Sequence, residues 1–184
     1  MQSAPMLQGR FVEPNVVVSH FHFREGDVVA DYGAGGGFFV EVLSKVVGPS
    51  GRVVAIEIQK ELVEKLGDMA RRKGLMNVDP KWADIEEVGG VPIQDGALDG
   101  AIMVNTLFQF EDKATALREV FRTLRAGGKL MLIDWTDSFG GLGPKFDQVV
   151  TVLDAQAHAE AVGFVFERSF DAGDHHYGLA FRKG

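Results

Sequence analysis

Val28-Val29-Ala30-Asp31-Tyr32-Gly33-Ala34-Gly35-Gly36-Gly37 is a five-residue strand candidate that runs straight into a glycine cluster. A short apolar run stopped by glycines reads as a buried strand ending in a tight turn. Phe38 to Val47 comes next, with apolar residues at 39, 42, 43, 46 and 47 marking one face of a helix. Gly33 and Gly35 carry no Cβ, so the backbone there can take left-handed angles and lie directly against a ligand. The free N–H groups at the start of the next helix point at the same spot. Strand, glycine turn and helix therefore predict a ligand-binding corner.

The same alternation extends outward. Gly48-Pro49-Ser50-Gly51 closes the helix, and Arg52 to Ile58 is a second buried strand. Gln59 to Lys73 places Leu62, Leu66, Met69 and Lys73 at helical spacing, with Gly74 as its C-cap. Asn77 to Ala83 is a weaker strand interrupted by Pro80, and Asp84 to Val88 begins a short helix or turn. Leu98 to Val104 is a strong strand. Glu111 to Arg125 is a helix ended by Gly127-Gly128, and Lys129 to Trp135 is the fifth strand. A glycine-rich loop, Ser138 to Pro144, leads to a helix from Phe146 to Val162. Phe164 to Phe170 and Tyr177 to Arg182 end the chain as two strands joined by a short turn. The fold class is α/β: a seven-stranded, mostly parallel sheet with a C-terminal antiparallel hairpin and helices on both faces.

Composition narrows the chemistry. The 184 residues suit one domain. Cysteine is absent, which removes disulfides, thiolate metal sites and Cys nucleophiles. Nineteen basic against twenty-six acidic residues give a net charge of -7, the wrong sign for a general nucleic-acid binder. Apolar runs are a handful of residues, far below the roughly 18–20 that span a bilayer. Met1 to Arg10 has neither a basic leader nor an apolar core, so no membrane association and a cytoplasmic address are expected.

The glycine turn discriminates between ligands. A dinucleotide fingerprint needs a third glycine three residues after the second, and that position is Phe38. The sequence instead reads Asp-x-Gly-x-Gly-x-Gly, with Asp31 two residues before the first glycine. A carboxylate there repels a pyrophosphate and suits a ligand bearing an ammonium group. A nicotinamide-dependent oxidoreductase is thus the weaker alternative, lacking a Tyr-x-x-x-Lys pair as well. A catalytically silent relative acting through a partner is another.

The stretch resembles motif I of class I S-adenosylmethionine-dependent methyltransferases, and the similarity extends over roughly residues 25 to 184. Glu57 ends the second strand, where that family places an acid on the ribose hydroxyls. Asp84-Ile85 comes after the third, where the family sets an acid near the adenine amino group and an apolar residue against the ring. Asn105 comes after a stretch similar to the fourth-strand motif. Leu124-Arg125-Ala126-Gly127-Gly128-Lys129-Leu130 is similar to the L-x-P-G-G-x-L turn, with Ala126 in place of proline. The nearest group is the small ubiquinone/menaquinone-biosynthesis methyltransferases. The resemblance implies the Rossmann-like class I methyltransferase fold, S-adenosylmethionine as cofactor, and methyl transfer to a small-molecule or protein acceptor, with an oligomer possible. It implies cofactor contacts at Asp31, Gly33, Ala34, Gly35, Glu57, Ile58, Asp84, Ile85 and Asn105. Glu57 and Asp84 also suit the ordinary task of capping the helix or turn that each precedes.

No residue identifies itself as the catalytic base. His20 belongs to the segment before the first strand, residues 1–24, which in relatives covers the cofactor site, and is a candidate. His20, His22, His175 and His176 lack the three or four converging ligands of a metal site, so none is assigned. Phe108, Phe110, Trp135 and Phe139 cluster after the fourth and fifth strands as core or as an apolar wall for the acceptor. Gly140, Gly141 and Gly143 make the 138–144 loop a second candidate lid. Cysteine-dependent acceptors are excluded, as is adenine-N6 chemistry, since Asn105-Thr106-Leu107-Phe108 lacks the paired prolines.

Overall fold

A computed structural model of the chain describes residues 12–139, 141 and 143–184. Seven strands form one sheet in the order β3-β2-β1-β4-β5-β7-β6. They are β1 (Val28–Tyr32), β2 (Arg52–Glu57), β3 (Val78–Trp82), β4 (Leu98–Val104), β5 (Leu124–Trp135), β6 (Phe164–Asp171) and β7 (His176–Lys183). β1 to β5 are mutually parallel, and β7 lies antiparallel between β5 and β6. The expected hairpin is therefore the β6–β7 pair, with β7 as the reversed strand. Strand order reverses at β1/β4, the place where an open α/β sheet opens a crevice at its carboxyl edge.

Helices α1 (Pro14–Val17), α2 (Val40–Val47), α3 (Lys60–Lys73), α4 (Lys113–Thr123) and α5 (Val152–Val162) surround the sheet. One core joins Tyr32, Ile56, Met103, Leu132 and Phe181 to α4 and α5. The other joins Val29, Ala55, Ile102 and Ile133 to α2, α3 and the segment around Phe21. With both faces covered, β1, β2 and β5 read as near-continuous apolar runs, as buried parallel strands must.

Several boundaries move for local reasons. Gly33, Gly35 and Gly37 all have positive φ, +82°, +54° and +84°, so α2 starts at Val40 and not at Phe38. Helix α4 is capped by Asp112, whose carboxylate accepts the Thr115 N–H at 3.0 Å, and it stops at Thr123. Leu124 is already extended and pairs with Leu98, so Gly127-Gly128 does not end the helix. The glycine pair lies in a bulge of β5, where the register jumps from Leu98↔Leu124 to Gly100↔Lys129. Asp99 anchors that bulge, accepting from Arg125 Nε at 2.7 Å and from the Val28 N–H at 2.8 Å. The last helix is also shorter than its pattern. A 3₁₀ turn covers Phe146–Gln148, and Thr151 caps α5 by accepting the Asp154 N–H. After Asp84, residues 85–86 and 88–89 form turns, with no helix between them.

Ahead of β1, α1 and a 3₁₀ turn (Val18–His20) lead to Phe21, fully buried against Phe23, Phe39 and Phe170. Residues 1–11 of the segment expected to cover the site, and Gly140 and Leu142 of the other proposed lid, lie outside the described residues.

Candidate functional site

A cleft of about 450 Å³ opens at the carboxyl edge over β3, β2, β1 and β4. Asp31, Gly33, Ala34, Gly35, Glu57, Ile58, Asp84, Ile85 and Asn105 all line it, so the structure brings the nine sequence-predicted residues to one place. Their order across the sheet is Asp84-Ile85 after β3, Glu57-Ile58 at β2, the glycine turn after β1, and Asn105 after β4.

The turn is fastened from beneath. Gly33 and Ala34 donate their N–H groups to the Ile56 carbonyl at 3.0 and 2.9 Å. Glu57 holds it from the side: Oε2 accepts the Gly35 N–H and Oε1 the Gln59 N–H, each at 2.9 Å. The same carboxylate thus ties the turn to the entry of α3 and, with one lone pair used on each oxygen, keeps acceptor capacity for the cleft. Gly33 is favoured on steric grounds as well. A Cβ there would lie 2.5 Å from Thr106 Cγ2, with φ at +82°.

Asp31 differs. It is only 3% exposed, and no described residue donates a hydrogen bond to its carboxylate. Burial, with Glu57 adding like-charge repulsion, raises its pKa from 3.8 to about 7. A buried carboxylate without donors at the wall of a cleft is a strong acceptor awaiting a cation.

Asn105 closes the β4 side in a left-handed conformation, φ +55°, with its N–H given to the Ile133 carbonyl and its own carbonyl accepting Gln109 Nε2 at 2.7 Å. Its Oδ1 is buried without a hydrogen-bond partner among the described residues. A left-handed backbone and an unpartnered buried acceptor thus coincide at this residue of the cleft. At the other end Asp84 Oδ1 accepts the Glu86 N–H at 2.9 Å, the capping role the sequence also allowed. Trp82 Nε1 donates to the Ile58 carbonyl at 2.6 Å and fixes that backbone.

Sequence reasoning misses Gly36, Phe38, Gln59, Leu62, Thr106 and Gln109, which also line the cleft. Thr106 is legible as the neighbour of Asn105; Leu62 and Gln59 belong to α3 and its entry and carry no motif signal. Phe38, 68% exposed beside the turn, has the sequence pattern of a helix start and instead stands at the cleft. Of the four aromatics, Phe110 lines the cleft and Phe108 packs on the core. Trp135 is buried against His176, and Phe139 stacks on His175 with centroids 3.9 Å apart. His20 is off the cleft: its ring stacks on Phe170 and its carbonyl accepts from Arg168. Among the described residues there is no cluster of three metal-ligating side chains and no helix long and apolar enough to cross a membrane.

Comparison with known proteins gives the same outline. The family described as "Methyltransferase domain" matches residues 23–163. A ubiquinone/menaquinone biosynthesis C-methyltransferase of Vibrio vulnificus is 32% identical over 133 residues, covering 72% of this chain and 48% of that protein. The corresponding Pasteurella multocida protein is 32% identical over 114 residues, covering 61% and 41%. The chain thus spans less than half the length of these curated relatives. A crystal structure of a SAM-dependent methyltransferase from Aquifex aeolicus superimposes with a TM-score of 0.87 at 27% identity, over 95% of this chain and 91% of that one. Neither the nicotinamide alternative nor the silent-relative alternative gains support from these matches.

Proposed function

The chain belongs to the methyltransferase-domain family, whose cofactor is S-adenosylmethionine, and from that premise we propose that it transfers the methyl group to a small-molecule or protein acceptor using the cleft over β1–β4. One observation carries the assignment: a donor-free buried carboxylate, Asp31, sits beside a carboxylate, Glu57, that is already oriented by two N–H groups. The first fits an ammonium, the second a pair of neutral hydroxyls. The amino-acid end therefore goes to Asp31 and the orphaned Asn105 Oδ1, the ribose to Glu57. Ile58 and Ile85 would supply apolar surface for the base, and Asp84 an acceptor for its amino group.

When bound, the cofactor supplies an electrophilic methyl on a sulfonium. The protein's own contribution is alignment and exclusion of water, together worth on the order of 7–11 kcal/mol when the geometry is productive. Asp31 would hold the amino-acid end and Glu57 the ribose, and Asn105, in its left-handed conformation, closes the β4 side. Phe38 and Phe110 supply apolar surface at the opening. Residues 1–24 and the 138–144 loop are the segments proposed to complete the cover, and the proposed address is the cytoplasm.

Calorimetry with S-adenosylmethionine or S-adenosylhomocysteine tests the assignment. Micromolar binding with a raised melting temperature is expected. Neither heat nor stabilisation with either compound refutes it.

A further inference from the structure

Asp134, the last residue but one of β5, is a buried carboxylate that lies outside the cofactor cleft. Its Oδ2 accepts the Phe108 N–H at 3.0 Å and its Oδ1 the Trp135 N–H at 2.9 Å, and the Leu107 N–H adds to them. Leu107 and Phe108 open the 3₁₀ turn Leu107–Gln109. The first N–H groups of a helical turn have no partners within it and are ordinarily met by the side chain just ahead. Here that side chain is turned elsewhere: the Thr106 hydroxyl donates to the Val104 carbonyl at 2.8 Å. A carboxylate from β5, 26 residues away from Phe108 in sequence, takes over the cap. The turn it caps carries one wall of the cleft, because Asn105, Thr106, Gln109 and Phe110 all line it. Gln109 Nε2 reaches back to the Asn105 carbonyl at 2.7 Å, so the left-handed Asn105 is held from the turn. At the far end Lys113 Nζ donates to the Phe110 carbonyl at 2.8 Å.

We propose that Asp134 is a positioning residue: by capping the turn after β4 it holds Asn105 where the amino-acid end of the cofactor meets it. The proposal rests on the cofactor assignment above. The grip depends on charge. An ionised carboxylate offers acceptors on both oxygens, whereas a protonated one gives one oxygen over to its own O–H. Burial outweighs the N–H groups and the nearby Lys113 and raises Asp134 to about 6. The titratable groups facing it are Lys113 of α4 and, across the β5–β7 ladder, Tyr177, which Asp154 of α5 also approaches. Burial keeps that tyrosine protonated, so it adds no charge of its own near neutrality. The turn is thus held firmly above about pH 6 and loosened below it.

The test is calorimetry with S-adenosylhomocysteine at about pH 8, where Asp31 and Asp134 are both charged, on wild type, Asp134→Asn, Asn105→Ala and the double variant. Asn keeps the shape of the side chain but sets an N–H donor against a backbone N–H. Affinity about ten-fold weaker is expected in each single variant, with at most about two-fold more in the double, since both remove the same contact. A second readout needs no ligand. In Asp31→Asn protein, which silences the other carboxylate titrating near neutrality, the Phe108 and Asn105 amide shifts should move together near pH 6. Adding Asp134→Asn should leave both flat. A cap that served the fold alone would move Phe108 without Asn105, and that result overturns the proposal. So does unchanged affinity in Asp134→Asn, or losses that multiply in the double variant. Failure of wild type to bind S-adenosylhomocysteine overturns the cofactor assignment instead, and the proposal with it.

Discussion

Replacing Asp31 by Asn should stabilise the ligand-free protein and abolish tight cofactor binding. Asp31 retains its proton in the folded chain up to about pH 7 but only to about 3.8 when unfolded. Between those values the native state binds more protons, so stability falls as pH rises through that window and levels off above pH 7. The shift corresponds to about 4 kcal/mol at pH 8. The Asn amide must itself find partners in a buried place, so a net gain of about 2–3 kcal/mol is expected. For a chain of this length that is about 5–10 °C in melting temperature. At pH 4.5 the same relation leaves about 1 kcal/mol, which the amide's own desolvation cancels. Thermal unfolding of wild type and Asp31→Asn at pH 4.5 and 8 measures both. Calorimetry with S-adenosylhomocysteine should show affinity reduced at least about ten-fold, the scale of one lost charge-assisted contact. A gain equal at both pH values, or none at pH 8, refutes the claim that ionising Asp31 strains the empty fold. Undiminished affinity refutes its role as the ammonium partner.

The same geometry yields three further outcomes. Cofactor binding at pH 6.5 should release most of a proton, because an ammonium draws Asp31 into its charged form; calorimetry in two buffers of different ionisation enthalpy counts it, and zero release contradicts the pose. Glu57→Gln keeps only one acceptor for the Gly35 and Gln59 N–H groups, so both melting stability and cofactor affinity should fall by about 1–3 kcal/mol; an effect on neither would mean the turn needs no anchor. Gly33→Ala drives a methyl to 2.5 Å from Thr106 Cγ2 at φ +82° and should cost about 1–3 kcal/mol of stability, with Thr106→Ala relieving the clash but not the backbone strain; full rescue in the double variant would show that strain is negligible.

The parts of the molecule legible in the sequence are those governed by local rules. The turn from Asp31 to Gly37 and the acids at the ends of β2 and β3 announce themselves, because a left-handed backbone demands glycine and strand ends are periodic. Tertiary competition sets the parts that are not legible. Gly127-Gly128 has the composition of a helix stop, yet Leu124 gains a partner in Leu98 and draws the chain into β5 first. The apolar spacing from Phe146 onward does not reveal that Thr151 offers a better cap. His20 looks catalytic because it precedes β1, whereas Phe21 is fully buried among three aromatic rings and carries its neighbour to β6.

Two neighbouring carboxylates of like charge cost stability, and the difference in their surroundings is the reason the pair is useful here. Glu57 commits one lone pair per oxygen to backbone N–H groups, so it is positioned before any ligand arrives and offers the remainder to weak, neutral donors. Asp31 is given nothing by the described residues and is strained until a cation comes. A ligand with a positive amino acid at one end and a pair of hydroxyls farther along can satisfy both only in one direction, because reversing it leaves Asp31 unpaired in a buried site, a penalty of several kcal/mol. In that proposed direction the amino-acid end would lie at Asp31 and Asn105 and the ribose at Glu57. On the proposed assignment, the stability lost at Asp31 in the empty protein is the same quantity that would set which way the cofactor lies.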